Sequence, residues 1–257
     1  MTYVVVIAVA FIASGLTFFS GFGLGTLLLP AFALFFPADH AVALTAVVHF
    51  LNGLFKLILV ARWANVGVVL RFGVPATGAS LLGAALLVWL SDIEPLATYR
   101  VFGRVAQVTP VKLLVGGLLL LFGLAELVPA TQRLSFSPRY LLLGGALSGF
   151  FGGLSGMQGA LRTAFLVRTG LSKESFIATG VVVAALIDIS RLSVYIGALL
   201  REHHRIDYVL LGGAVLAAFA GAVAGNQWLK KLTMDAVRRF VAAMLLFVAL
   251  GLVVGVI

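Results

Sequence analysis

Six stretches of the sequence, near residues 41–61, 72–91, 111–129, 175–199, 208–228 and 237–257, each run apolar for about the 20 residues that a helix needs to span the hydrocarbon of a bilayer. A chain built this way folds in lipid, where every backbone N–H and C=O must be bonded inside the protein, so the spans are helices. Hydrophobic residues make up 62% of the chain and charged residues 11%, against about 25% charged in soluble domains, and one soluble core does not bury that surplus. The expected fold is an all-α polytopic membrane protein, one integral membrane domain over residues 1–257.

Composition removes several function classes. Cysteine is absent, so thiolate metal sites and cysteine nucleophiles are unavailable. No metal and no cofactor is expected. The first Lys or Arg is Lys56, so the N-terminal apolar run lacks the basic flank of a cleaved signal peptide and is expected to stay in the mature chain. The net charge of +9 sits mostly between apolar runs, where it sets membrane orientation and does not indicate nucleic acid. The expected partners are the lipid bilayer and a small anion.

Two further apolar segments are interrupted midway by glycine clusters. Residues 3–36 carry "SGFGLG" at 20–25, and residues 139–169 carry "GGLSGMQG" at 152–159. At 34 residues the first would be about 51 Å long as one helix, more than one crossing needs. Each is better read as two short helices joined at a break. Ser14-Gly15 aligns with Ser148-Gly149, Gly25 with Gly159 and Thr45 with Thr179, all offset by 134. That spacing points to duplication, with repeat 1 at about 3–129 and repeat 2 at about 139–257; the alternative is chance similarity between glycine-rich runs.

Each broken segment either crosses the membrane or turns back as a V. Setting aside Lys56, Arg162 and Arg191, the V arrangement with the N-terminus outside places ten Lys/Arg inside and five outside, and the crossing arrangement nine and six. The positive-inside rule favours the V, which makes the repeats inverted, with both chain termini outside a bacterial-type inner membrane.

Backbone groups freed at a break must be buried in protein or line a wet cavity. The second half-helix, starting near Gln158 or Gly159, turns its free amides and positive dipole end toward the break. Arg162 is one turn in, and its fork suits an oxyanion. Alternatively, Arg162 reaches an interface or pairs with a carboxylate. On residues 41–61, Thr45, His49, Asn52 and Lys56 form one polar stripe, and on 175–199 Asp188, Arg191 and Tyr195 form another. Ionisable groups at such depth are functional candidates by default. The candidate substrate-binding residues are Arg162, Gln158, Gly159, Gly23, Gly25, His49, Asn52 and Thr179. Lys56, Asp188, Arg191 and Tyr195 are candidates for supporting or coupling roles. Plainer roles stand beside these: an i,i+3 ion pair for Asp188 and Arg191, a snorkelling Lys56 and a structural His49.

The runs "SGFGLGTLLLPAFALF", "VVHFLNGLFKLILV", "GLSGMQGALRTAFLVRTGLSKESFIATG" and "DISRLSVYIGAL" resemble the sulfite exporter TauE/SafE family of membrane anion transporters over nearly the whole chain. Pro30 after the first break matches the family habit; Ala164 at the matching place in the second half does not. The resemblance implies transport of sulfite, sulfonates or related small anions, usually outward. No G-x-x-x-x-G-K-[ST] loop occurs, so ATP is not the driver within this chain. A passive anion channel would use the same groups. The "GLSG" at 153–156 also matches intramembrane serine proteases, but downstream histidines occur only at His203 and His204, so no enzyme is expected. Spacings such as Gly221 to Gly225 permit close helix packing within a monomer or in a homo-oligomer.

Overall fold

The computed structural model describes the backbone of residues 1–257 except 21–22, 102, 202–206 and 229–233; side chains at 17–20, 104, 132, 198, 201, 225–228 and 234–237 are also outside the description. His203, His204, Arg205, Lys230 and Lys231 therefore lie outside the described residues.

Glycine breaks the first apolar segment into α1 (Thr2–Ser20) and α2 (Leu24–Ala33). The run near 41–61 is α3 (Ala38–Val60), followed by a 3-10 turn at Ala61–Trp63. Asn65 then starts α4 (Val66–Val68) by accepting from the Val68 N–H, and a π turn at Val69–Gly73 leads into α5 (Val74–Ser91). A β-hairpin follows, β1 (Ala97–Val101) against β2 (Arg104–Val108). Thr109 caps α6 (Pro110–Leu127) through the Lys112 N–H, and the short α7 (Pro129–Gln132) follows. The second broken segment is α8 (Leu141–Ser155) and α9 (Gly159–Leu166). The last three are α10 (Lys173–Arg201), α11 (Tyr208–Trp228) and α12 (Met234–Val253).

All six expected spans are helices within a few residues of their expected ends. Among the described residues four are long and apolar enough to cross a membrane, Ala38–Trp63, Val66–Ser91, Pro110–Leu127 and Lys173–Gly197, with shorter apolar helices at Thr2–Leu16, Leu24–Ala33 and Tyr208–Ala224. The hairpin corrects the strictly all-α expectation. Its strands lie outside the apolar runs, and Gly103 at φ 77° makes the reversal between them, a backbone region that glycine enters without strain.

Contacts between distant segments fix which helix ends share a face. Tyr3 donates to Asp207 at 2.5 Å, tying the start of α1 to the start of α11. On the opposite face the Asn65 N–H donates to Thr179 Oγ1 at 2.9 Å, tying the corner after α3 to the first turns of α10. Helices α3 and α10, which pack together, are thus antiparallel. Helix α1 starts on the face where α3 also begins. The start of α8 and the end of α9 lie on the opposite face, where a Cβ on Gly144 would stand 2.3 Å from the ring of Phe165 and the Phe136 N–H donates to Ala164 O at 3.0 Å. The C-terminus returns to the α1 face, where the Gln107 N–H donates to Gly255 O at 3.1 Å.

Four tight pairs hold the bundle: α1 with α11, α5 with α8, α3 with α10 and α6 with α12. Small residues make this possible, since association in lipid relies on close van der Waals fit. A Cβ on Gly145, Gly149 or Gly153 would stand 2.1, 2.0 or 2.1 Å from the carbonyl oxygen of Phe72, Ala76 or Ser80. Gly221 lies equally close to Phe11 O, at 2.1 Å, so this glycine serves packing within one chain.

Candidate functional site

The two glycine breaks meet. A Cβ on Gly23, the residue preceding α2, would lie 3.8 Å from the Gly159 amide nitrogen, and one on Gly25 would lie 3.0 Å from Gly156 O. Helices α2 and α9 therefore bring their N-terminal ends together in the interior. Neither end carries a side-chain cap hydrogen bond, at Gly23 or at Gln158; the Thr26 N–H donates to Gly23 O at 3.1 Å, and the other first-turn amides have no capping side chain. Two helix dipoles then add roughly half a positive charge each at one place.

Gln158 is fully buried, and its Nε2 has no hydrogen-bond partner. A buried amide donor left unmade costs about 1–3 kcal/mol, which a bound acceptor would remove. Arg162 Nη1 donates to Gln158 Oε1 at 3.4 Å. Its guanidinium lies over Gly180 of α10, where a Cβ would stand 3.4 Å from Nε. Among the described residues no carboxylate lies within 4.0 Å of Arg162, and the side chain is half-buried. The carboxylate alternative read from the sequence is thus not met among those residues.

Thr45 and Thr179, matched by the offset of 134, have different surroundings. Thr179 Oγ1 accepts from Asn65. Thr45 Oγ1 is buried without a partner, and its methyl lies 3.7 Å from the Cβ position of Gly25. The hydroxyl beside the break is therefore that of Thr45, which the polar stripe contained but the candidate set omitted. The offset alone could not choose between the two. Asn65, in a corner between helices, had no sequence signal at all.

Other polar residues hold the break in shape. Gly156 ends α8 at φ 79°, with its N–H on Gly152 O at 2.9 Å. Arg191 Nη1 reaches Gly152 O at 3.5 Å as a second donor and Tyr195 donates to Gly153 O, so both brace carbonyls of the last turn of α8. Arg191 also grips Asp188 Oδ1 through Nε at 2.9 Å and Nη2 at 2.7 Å, while His49 Nδ1 stands 2.5 Å from Asp188 Oδ2. The i,i+3 pair is present, and His49 extends it to α3. Ser14 donates to Asn52 Oδ1 at 3.1 Å and Ser148 donates to Gln158 O at 3.2 Å, so the two serines aligned by the offset each brace a polar residue of the site. Lys56 is only 9% exposed, so its side chain stays within the bundle.

The protease-like Ser155 donates to Phe151 O at 3.0 Å and is 1% exposed, while His49 is engaged with Asp188. Among the described residues no group of three His, Cys, Asp or Glu side chains is placed to hold a metal ion.

A family model described as Sulfite exporter TauE/SafE matches residues 6–252 of the chain. No curated protein matches it.

Proposed function

We propose that this chain, which belongs to the sulfite exporter TauE/SafE family, is a carrier that binds a small sulfur oxyanion or related organic anion where α2 and α9 meet, and moves it outward. The family is one of multi-pass membrane transporters. The observation that carries the site is the meeting of Gly23 with Gly159 beside an orphaned Gln158 Nε2 and an arginine that has no carboxylate within 4.0 Å among the described residues. Such a set offers donors and positive potential but few acceptors, which is what an anion needs.

The repeats are read as inverted, each a V-shaped broken segment followed by three helices. The swapped packing supports this: α1 sits on α11, and its counterpart α8 sits on α5, while α3 pairs with α10 and α6 with α12. In this reading both termini face outside and the openings of the two Vs face opposite sides, which suits alternating access to a fixed site. Moving one negative charge out of a negative-inside cell gains about 2.3 kcal/mol per 100 mV, so export of a monoanion needs no further fuel.

The test is counterflow in proteoliposomes. Labelled sulfite should enter faster when unlabelled sulfite or a sulfonate fills the lumen, and the flux should saturate. Flux that neither saturates nor responds to the opposite face would establish a channel; no flux of any oxyanion would refute the reading.

A further inference from the structure

A serine or threonine inside a helix commonly returns its hydroxyl to a carbonyl one turn back. Thr77, Ser91, Ser155 and Ser190 do so here, donating to the carbonyl oxygen four residues earlier at 2.9, 2.9, 3.0 and 2.8 Å. Thr45 does not. It lies within α3 with the Ala41 carbonyl one turn behind it, is 0% exposed, and its Oγ1 has no hydrogen-bond partner among the described residues. Its methyl lies 3.7 Å from the Cβ position of Gly25, and that position is itself 3.0 Å from Gly156 O. The hydroxyl branches from the same carbon as the methyl, so it is held beside the meeting of the two breaks. Among the described residues, two buried side-chain nitrogen or oxygen atoms have neither a hydrogen bond nor an ion pair, Thr45 Oγ1 and Gln158 Nε2. Both are at the break, on different helical segments.

We propose that Thr45 determines specificity by touching the ligand: with Gln158 Nε2 it gives the break two directional donors, which select anions by the acceptor strength of their oxygens and not by charge alone. The inference rests on the anion-carrier reading above and adds to it a residue and a rule of selection. Arg162 and the helix dipoles attract any monoanion. Buried donors add a condition, because a ligand that leaves them unpaired bears the cost of their desolvation, and a site built on such groups rejects that ligand strongly. Sulfonate oxygens are strong acceptors and perchlorate oxygens weak ones, although both ions are tetrahedral and carry one charge. A site of charge alone would favour perchlorate, the more easily dehydrated ion. A site with unmade donors favours the sulfonate.

The experiment measures binding of methanesulfonate and of perchlorate to the purified full-length protein by calorimetry at constant ionic strength, together with the unfolding temperature of the ligand-free protein. Wild type should bind methanesulfonate at least about tenfold more tightly than perchlorate. Thr45→Val should weaken methanesulfonate about tenfold and leave perchlorate within about threefold of its wild-type affinity. Its ligand-free unfolding temperature should hold or rise, because the substitution removes a buried hydroxyl that makes no hydrogen bond. Thr45→Ser retains the hydroxyl and should retain the preference. Thr179→Val, by contrast, removes a hydroxyl that accepts from the Asn65 N–H and should lower the unfolding temperature. An unchanged preference in Thr45→Val would overturn the role of Thr45. A Thr45→Val protein that unfolds more easily, or does not fold, would overturn it too, since the hydroxyl would then serve the fold. Equal affinities in wild type, or tighter binding of perchlorate, would overturn the rule of selection. Absence of binding by both ions in wild type would overturn the anion-site reading itself, an outcome distinct from the others.

Discussion

His49 and Asp188 face each other across the α3–α10 interface, with Nδ1 2.5 Å from Oδ2, and Arg191 takes the other oxygen at 2.7 Å. Asp188 and Arg191 are fully buried. Removing one member of such a pair strands the other, so Asp188→Asn should lower stability by about 3–5 kcal/mol. Asp188→Asn combined with Arg191→Met should recover much of that loss, because no uncompensated charge remains. Thermal unfolding in detergent measures both; a single mutant as stable as wild type would show that the pair does not hold the helices.

Arg162→Ala strands no described carboxylate, since none lies within 4.0 Å. Transport should be lost while stability changes by about 1 kcal/mol or less. Arg162→Lys keeps the charge without the fork and should weaken oxyanion binding. Gln158→Ala should act more mildly, a neutral hydrogen bond being worth about half a charge-assisted one. Unfolding of Arg162→Ala with transport restored by a second neutralising change would assign the arginine to the fold.

Gly25 tests the contact between the breaks. A methyl there would stand 3.0 Å from Gly156 O, a backbone atom with little freedom to withdraw. Gly25→Ala gains about 0.5–1 kcal/mol of helix propensity, which offsets part of the crowding, so the protein should stay folded but transport more slowly. Gly25→Val should stop transport. Counterflow at the wild-type rate in Gly25→Val would show that the breaks need not touch.

Topology is testable because the chain has no native cysteine. Ala38 is only 2% exposed, so exposed Asp92 is the better probe of the face where α3 begins, and exposed Ser172 reports the opposite face. With inverted V-shaped segments, Asp92→Cys reacts with an impermeant maleimide added outside and Ser172→Cys does not. If each broken segment crossed the membrane, both positions would be inside and neither would react.

The spans and the breaks were legible in the sequence because they are local properties. The solvent decides a span through about 20 consecutive residues, and a run of glycines breaks a helix wherever it lies. The polar stripes on α3 and α10 were legible for the same reason, since helical spacing alone puts their members on one face. The hairpin at 97–108 was missed because two five-residue strands outside the apolar runs leave a much weaker pattern. The meeting of Gly23 with Gly159, the grip of Arg191 on Gly152 and the choice of Thr45 over Thr179 beside the break were decided only by tertiary structure. Each depends on how far a helix is turned about its own axis. That turn is set by close packing against segments far away in the chain, such as Gly149 against Ala76 O and Gly221 against Phe11 O in their own helix pairs, and no local pattern along the chain records it.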